Sequence, residues 1–228
     1  MSRVMIVNAD DLGLSPGVNA GIAAGFERGI VTSASLMVRQ AAAADAARCA
    51  TERPGLAVGL HLDLEGRDYA RGGVAAWHCD LADADAVERE CRDQLSAFRQ
   101  LLGRDPTHLD SHHHLHLAEP VRTAAAGLAA ELGVPLRGGA VRYEGRFFAR
   151  RGGGEADPAA VAPTALLAIV AELPAGWTEL GCHPAAEPPP GSSYGEARTW
   201  ELRTLCDPAV REAIAGEGVA LASFAEID

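Results

Sequence analysis

The chain has 228 residues, of which 48% are hydrophobic, 22% charged and 5% aromatic, a composition typical of a globular protein rather than of a disordered or collagen-like one. Its formal net charge of −11 argues against a surface that binds nucleic acid or an anionic membrane. The sequence contains arginine but no lysine, which excludes a Schiff-base lysine and a Walker-type phosphate loop.

Short apolar runs alternate with longer helical patterns along the chain. Strands are predicted at 4–8, 33–38, 56–64, 107–112, 134–141, 177–182 and 219–224. Helices are predicted at 16–28, 41–53, 85–102, 119–132, 158–173 and 208–215, with long loops at 144–157 and 185–195 that are candidate lids or binding loops. This alternation is typical of a parallel sheet covered by helices. We therefore expect an α/β fold, a distorted (β/α) barrel with about seven parallel strands, with an open doubly wound sheet as the alternative.

The cysteine pattern and the amino terminus bear on the compartment. Five cysteines without a C-x-x-C pair favour free thiols in a reducing environment. The first apolar run ends at Asn8, which is too short for a signal peptide, and no stretch approaches the ~18 apolar residues of a membrane span. We expect a cytoplasmic protein with no transmembrane segment, and a homodimer remains open beside a monomer.

Polar clusters follow four of the predicted strands. They lie at 8–11, 61–63, 108–116 and at His183, and they contain seven of the eight histidines, the eighth being His78. The carboxyl ends of parallel strands meet at one edge of the sheet, where active sites of such folds are built. The sequence therefore predicts one polar site at this edge.

The alternation of side chains within the strands narrows the choice of histidines. Leu60 and its alternate neighbours form an apolar face that should pack on helices, so His61 points into the barrel mouth. Leu109 marks the same apolar face in the next strand, so His112 is predicted to share a site with His61, whereas His113 should point toward the helices. The adjacent acids of the first cluster cannot both point inward from a regular strand.

A carboxylate with two imidazoles is the ligand set of an open hydrolytic metal site, and a second carboxylate nearby can accept a proton from metal-bound water. Imidazole suits Zn, Co, Ni or Fe and carboxylate also suits Mg or Mn, so the metal stays open. Two weaker alternatives are a serine hydrolase, whose G-x-S-x-G pattern at 191–195 lacks the required preceding strand, and a non-haem iron oxygenase.

Several motifs together resemble one known family, the YdjC-like carbohydrate deacetylases. The resembling segments are 8–19 (NADDLGLSPGVN), 29–33 (GIVTS), 59–62 (GLHL), 106–114 (PTHLDSHHH), 182–184 (CHP), Ser193-Tyr194, Arg198 and Glu201-Leu202. They occur in order from residue 4 to about 206. The resemblance implies one deacetylase domain over 1–228, folded as a distorted seven- or eight-stranded (β/α) barrel. The family includes deacetylases of chitin-derived oligosaccharides and members associated with hopanoid lipid biosynthesis.

The resemblance also implies an activity and roles for individual residues. The implied reaction is removal of an acetyl group from an N-acetylated amino sugar or glycoconjugate by a hydrolase that holds one divalent ion, Mg or Zn. The implied metal ligands are Asp11, His61 and His112, the implied base and acid are Asp10 and His183, and the implied substrate contacts are Asp110, Tyr194 and Arg198. Asp110 or Asp63 is also a candidate to orient a metal-bound imidazole. Two alternatives stay open: another metal-barrel enzyme, such as a phosphoesterase or an oxygenase, and a non-catalytic sugar- or lipid-binding relative.

Overall fold

The computed structural model describes residues 2–68, 73–150 and 155–227. Its strands are β1 (Arg3–Leu12), β2 (Ser33–Leu36), β3 (Ala57–Leu62), β4 (Glu65–Asp68), β5 (Gly73–Trp77), β6 (Leu109–Ser111), β7 (Arg142–Glu144), β8 (Gly176–Cys182) and β9 (Val219–Ala222). Its α-helices are α1 (Pro16–Arg28), α2 (Ala43–Thr51), α3 (Ala84–Leu102), α4 (Val121–Leu132), α5 (Pro163–Ala171), α6 (Gly195–Leu205) and α7 (Pro208–Gly216). Short 3₁₀ turns cover His112–Leu117, Pro158–Val161 and Phe224–Glu226.

Seven parallel strands form one curled sheet. The order is β6-β3-β2-β1-β8-β7, and β9 pairs with the first half of β1 while β2 pairs with its second half. Followed around from β1, the strands come in chain order and return to β1 through β8, which is the order of a barrel and not of a doubly wound sheet. The predicted α/β class and distorted barrel are therefore confirmed, as a curled half-barrel.

A short segment of the chain connects the two edges of the curled sheet. Leu136 forms a single parallel bridge with Leu109 and so extends the β6 edge, whereas β7 at the other edge begins only at Arg142. The predicted strand at 134–141 is thus wrong in extent. Gly138 has a φ of +76° and breaks the extended backbone between the two edges.

The apolar core lies between the sheet and its helices. Leu60 and its alternate neighbours in β3 belong to this core and have no exposed surface, as the alternation predicted. The longest helix, α3, begins at the capping side chain of Asp83 and ends at Gly103, whose φ is +66°. No helix in the described ranges is long and apolar enough to cross a membrane.

The strands β4 and β5 and helix α6 were not predicted. The antiparallel hairpin of β4 and β5 has a charged, glycine-rich sequence without the alternation of a half-buried strand. Helix α6 lacks an apolar stripe because two of its buried positions hold Arg198 and Glu201. The expected loop at 185–195 does precede α6, and of the expected loop at 144–157 the residues 151–154 lie outside the described residues.

Candidate active site

Asp11, His61 and His112 come together at the carboxyl ends of β1, β3 and β6. Oδ1 of Asp11 lies 3.3 Å from Nε2 of His61 and 3.1 Å from Nδ1 of His112. All three side chains are buried, and each offers one ligand atom within 4.8 Å of the others. The structure thus places His112 beside His61, as the alternation predicted.

The backbone of β1 explains how two consecutive aspartates reach the same site. The register between β1 and β2 shifts between Ala9 and Leu12, and Asp11 has a φ of +68°. Left-handed backbone is uncommon for a residue with a side chain, although aspartate adopts it more readily than most, and such positions cluster at functional sites. This irregularity turns Asp10 and Asp11 toward one cavity, which a regular strand would not allow.

The carboxylate of Asp110 orients the imidazole of His61. Its Oδ1 lies 2.7 Å from Nδ1 of His61, so the carboxylate fixes the ring with Nε2 toward Asp11. Asp110 has no exposed surface and also accepts a hydrogen bond from Ser35 at 2.7 Å. Burial raises the pKa of Asp110, but the neighbouring Arg137 and His61 outweigh this effect and hold that pKa below its usual range. This buried position suits support of a ligand better than the substrate contact that the resemblance implied.

Packing under the site links these groups to the strand interior. Nε2 of His108 lies 3.0 Å from Oγ of Ser35, and its ring stacks on Phe224 at 3.9 Å between centroids. A Cβ atom on Gly59 would lie 2.5 Å from the His108 ring, so only glycine fits at that place in β3. Burial lowers the pKa of His108 to about 4.

Asp10 is held by an arginine that sequence reasoning missed. Nη1 and Nη2 of Arg137 donate to its two carboxylate oxygens at 2.7 and 2.6 Å. Burial raises the pKa of Asp10, but the charge and hydrogen bonds of Arg137 outweigh it and hold that pKa below its usual value. Arg137 stands within the predicted strand 134–141, near the same edge as the other polar residues, and that position could have marked it.

Arg137 also contacts Glu179 in the middle of β8. Its Nη2 and Nε donate to Oε1 of Glu179 at 2.6 and 2.8 Å. The second oxygen, Oε2, is buried without a hydrogen-bond partner among the described residues. Burial raises the pKa of Glu179 to about 7 against the effect of Arg137. A carboxyl group in an apolar strand, on the same face as His183, was a detectable sign of this buried cluster.

His183 follows β8 and faces Asp10 across the cavity. Its Nε2 lies 3.8 Å from Oδ2 of Asp10, and its backbone N–H donates to Oε2 of Glu201. Its Nδ1 is buried without a hydrogen-bond partner among the described residues and lies 4.0 Å from Oε1 of Glu201. Burial lowers the pKa of His183 to about 4, although Asp10 and Asp11 raise it.

Helix α6 brings two further polar side chains behind the site. Nη2 of Arg198 donates to Oδ2 of Asp11 at 2.5 Å, leaving Oδ1 toward the two histidines. The hydroxyl of Tyr194, just before α6, donates to Glu201 and accepts from the N–H of Ala149. The two residues with implied substrate contacts, Tyr194 and Arg198, are thus placed where they support other groups of the site.

The cavity above these residues has a volume of about 280 Å³. Its wall includes Asp10, Asp11, His61, His112, Phe148 and His183. A larger cavity of about 530 Å³ lies next to it and shares Gly145 and Phe148. The acids and imidazoles therefore meet in a concave space that can admit a small ligand.

His113 lies on the wall of the smaller cavity. The expectation that it points toward the helix layer is therefore wrong. Its φ of +50° turns the ring back, and its Nδ1 is in direct contact with Oε2 of Glu65. Its ring also packs against that of His112 at a tilt of 45°, with 3.8 Å between the ring centroids.

The first triad fits a divalent ion by its chemistry and its spacing. Two ligands each ~2.1 Å from one ion lie about 3.0 to 3.4 Å apart, and the measured separations fall in that interval. Asp110 holds the second nitrogen of His61 as carboxylates hold metal-bound imidazoles elsewhere. The charge of Arg198 and His112 keeps the pKa of Asp11 well below its usual value in spite of burial, so the ligand oxygen is ionised.

Two relatives match the chain along nearly its whole length. The chain is 35% identical to a carbohydrate deacetylase of Geobacillus stearothermophilus, with 99% of this chain and 98% of the relative covered. It is 32% identical to a chitooligosaccharide deacetylase of Serratia marcescens over the full length of both.

Two solved structures show the same fold. A crystal structure from Enterococcus faecalis V583, described as that of a candidate cellobiose-phosphate cleavage protein, has a TM-score of 0.81 and 25% identity over 98% of both chains. A family 4 carbohydrate esterase from Streptomyces lividans has a TM-score of 0.59 and 15% identity, covering 96% of this chain and 91% of that one, so it shows the fold alone. The family model described as YdjC-like protein matches residues 4–216, and the chain therefore belongs to the YdjC-like family.

Proposed function

We propose that the protein is a metal-dependent carbohydrate N-deacetylase, which releases acetate from an N-acetylated amino sugar. The observation that carries the proposal is the ligand triad Asp11, His61 and His112, with a separate acid, Asp10, and a separate imidazole, His183, on the same cavity wall. The deacetylase names of the full-length relatives support the reaction. The divalent ion, Mg or Zn, would supply Lewis-acid polarisation of the acetyl carbonyl and a water of lowered pKa.

Asp10 is the proposed general base. Arg137 holds both of its oxygens and keeps it ionised, so Oδ2 can accept the proton of the attacking water at neutral pH. The same arginine fixes the carboxylate relative to Asp11, because it also contacts Asp110 behind the ligand His61. The base and the ligand set are thereby held in one rigid polar network.

His183 is the proposed carrier of a proton to the leaving amine. Its lowered pKa leaves the imidazole neutral at pH 7 before substrate binds. The proton that Oδ2 of Asp10 takes up can pass to Nε2 of His183, 3.8 Å away, when the site tightens around substrate. Nε2 then protonates the nitrogen as the C–N bond breaks, and the amine and acetate leave.

The size and lining of the cavity favour a small substrate. Its 280 Å³ is near the low end for ligand sites, which suits one sugar unit in the site rather than a long polysaccharide. Tyr143, Phe147 and Phe148 provide aromatic surface on its wall. Asp110, Tyr194 and Arg198 act behind this wall, where they position His61, Glu201 and Asp11.

We further propose that residues 1–228 act as one domain in the cytoplasm. The five free cysteines support a reducing compartment. A measurement of its mass in solution distinguishes a monomer from a homodimer.

The test joins metal analysis with an acetate-release assay on small N-acetylated sugars and chitooligosaccharides. Protein as purified should hold about one divalent ion, release acetate, lose activity with a chelator and regain it with Mg²⁺ or Zn²⁺. Phosphate release from sugar phosphates and oxygen uptake with Fe²⁺ are measured in parallel. Either of those activities without acetate release would overturn the proposal, and sugar binding without any turnover would favour the non-catalytic alternative.

A further inference from the structure

A second group of metal-ligating side chains lies beside the first triad. Glu65, His112 and His113 each offer a ligand atom within 4.8 Å of the other two. Glu65 begins β4 and is buried, and Oε2 of its carboxylate is in direct contact with Nδ1 of His113. This second group shares only His112 with the first triad.

The backbone at the start of the 3₁₀ turn brings this group together. His113 and His114 are consecutive residues with side chains at φ values of +50° and +54°. Such backbone costs free energy and persists where the surroundings or the function require it. Here it folds the ring of His113 over His112 and against Glu65, on the wall of the cavity.

The buried ionisable groups at this end of the sheet are mostly acidic. Among the described residues, the buried guanidinium groups are those of Arg137 and Arg198, and the buried carboxyl groups at this end include those of Asp10, Asp11, Asp63, Glu65, Asp110, Glu179 and Glu201. Buried carboxylates need compensation by cations or protons. Burial raises the pKa values of Glu179 and Glu201 to about 7, and the neighbouring charge of Asp10 adds to the effect in both cases.

We propose that Glu65 and His113, together with His112, form a second cation position that is weaker than the first. The proposal rests on the proposed function, which assigns the first ion to Asp11, His61 and His112. A carboxylate with two imidazoles suits Zn²⁺, Co²⁺ or Mn²⁺.

The second position is weaker for two reasons. His112 is common to both positions, and the His113 side chain is 45% exposed, whereas every ligand of the first position is buried. The ion must also displace the contact between His113 and Glu65. We expect at least a tenfold difference between the two dissociation constants.

Occupation of the second position has a consequence for turnover. Because His113 lies on the wall of the 280 Å³ cavity, an ion there takes space that the sugar would use. Activity should therefore rise with the first equivalent of Zn²⁺ and fall as the second binds.

The test is a titration of the metal-free full chain with Co²⁺, followed by visible absorption, with Zn²⁺ stoichiometry measured by equilibrium dialysis. Wild type should bind two ions in two steps, and His113→Asn and Glu65→Gln should each keep the first step and lose the second. Asparagine tolerates left-handed backbone, so His113→Asn removes the imidazole without forcing the turn to change. His114→Asn is the matched control, because His114 has the same backbone but lies outside the group, and it should keep both steps.

A single step in wild type, or a second step that survives in both variants, overturns the second position. Circular dichroism checks the fold of each variant, and Glu65→Gln decides the matter if His113→Asn does not fold. One bound ion with acetate release refutes only this inference. If the protein binds no ion and releases no acetate, the proposed function is refuted as well.

Discussion

Asp10 and Asp11 are neighbours in sequence with the same side chain, yet their surroundings differ. Asp11 faces two imidazoles, with an arginine from α6 on its outer oxygen. Among the described residues, the imidazole nearest to Asp10 is that of His183, at 3.8 Å, and both oxygens of Asp10 are held by Arg137. Asp10 also lies within 4.8 Å of ligand atoms of His61 and Asp110, but its oxygens already accept from the guanidinium group, whereas Oδ1 of Asp11 faces two imidazoles.

One strand irregularity separates the two proposed roles. The left-handed backbone at Asp11 places adjacent carboxylates in two different environments. The environment of Asp11 suits the proposed metal coordination, and that of Asp10 suits the proposed base, which must be ionised and held in place. The imidazoles follow the same division, since His61 has a pKa raised by Asp110 and Asp11 against burial, while burial lowers that of His183.

Loss of the ligand should have the largest effect. Asp11→Asn removes the negative charge, and the amide turns its NH₂ toward both histidines when its oxygen accepts from Arg198, so we expect bound metal to fall at least tenfold and acetate release to vanish. His61→Ala and His112→Ala should behave alike. Metal analysis after dialysis and the acetate assay measure this. An Asp11→Asn protein that keeps its ion while Asp10→Asn loses it would reverse the two assignments.

Loss of the proposed base should come next. Asp10→Asn should keep metal and fold but lower kcat by about 10² to 10⁴-fold, the range for general-base catalysis. The comparison with Asp11→Asn requires the two variants to differ in metal content, which dialysis followed by elemental analysis records. Equal metal loss in both would show that the two carboxylates act as one ligand set.

A smaller effect should depend on the leaving group. His183→Ala should slow hydrolysis of an N-acetyl amide by about 10 to 100-fold but that of an O-acetyl ester much less, because an alcohol leaves with less proton donation. Rates on a matched amide and ester pair measure this. If both fall alike, His183 has a structural role at the end of β8, and the proton reaches the amine by another route.

The smallest effect concerns acid stability of the metal-free protein. His183 is neutral in the folded state down to about pH 4 but takes up a proton near 6.5 when unfolded. The unfolded state then binds more protons between those values, so the free energy of unfolding should fall as pH drops from 6.5 to 4, by at most about 1.4 kcal/mol per pH unit. Urea unfolding of His183→Ala should show a flatter dependence than wild type. An identical slope would mean that His183 is already protonated in the folded chain.

Much of the site could be predicted because strand alternation is local. The faces of His61 and His112 followed from their apolar neighbours, and the structure brings both to Asp11. The alternation failed at His113, because the backbone there leaves the strand and turns left-handed. No pattern of residue types in the sequence announces that turn.

The parts that sequence reasoning missed depend on contacts distant along the chain. Arg137 meets Asp10 across 127 residues, and its partners lie on three other strands. Helix α6 escaped prediction because its buried face is polar, so apolar periodicity had nothing to detect. Both Arg137 and the polar residues of α6 are positioned by pairing of charges inside the fold. The order of residue types along the sequence does not encode that pairing.

The orientation of the His61 ring depends on a residue as distant as Gly59. The His108 ring occupies the place that a side chain at 59 would take, and His108 holds Ser35, which holds Asp110, which holds His61. A methyl group at position 59 would press on the His108 ring and, through Ser35 and Asp110, displace the ring of His61. If His61 is a metal ligand as proposed, the affinity for the ion depends on a residue that has no functional group, and a search restricted to polar positions would miss it.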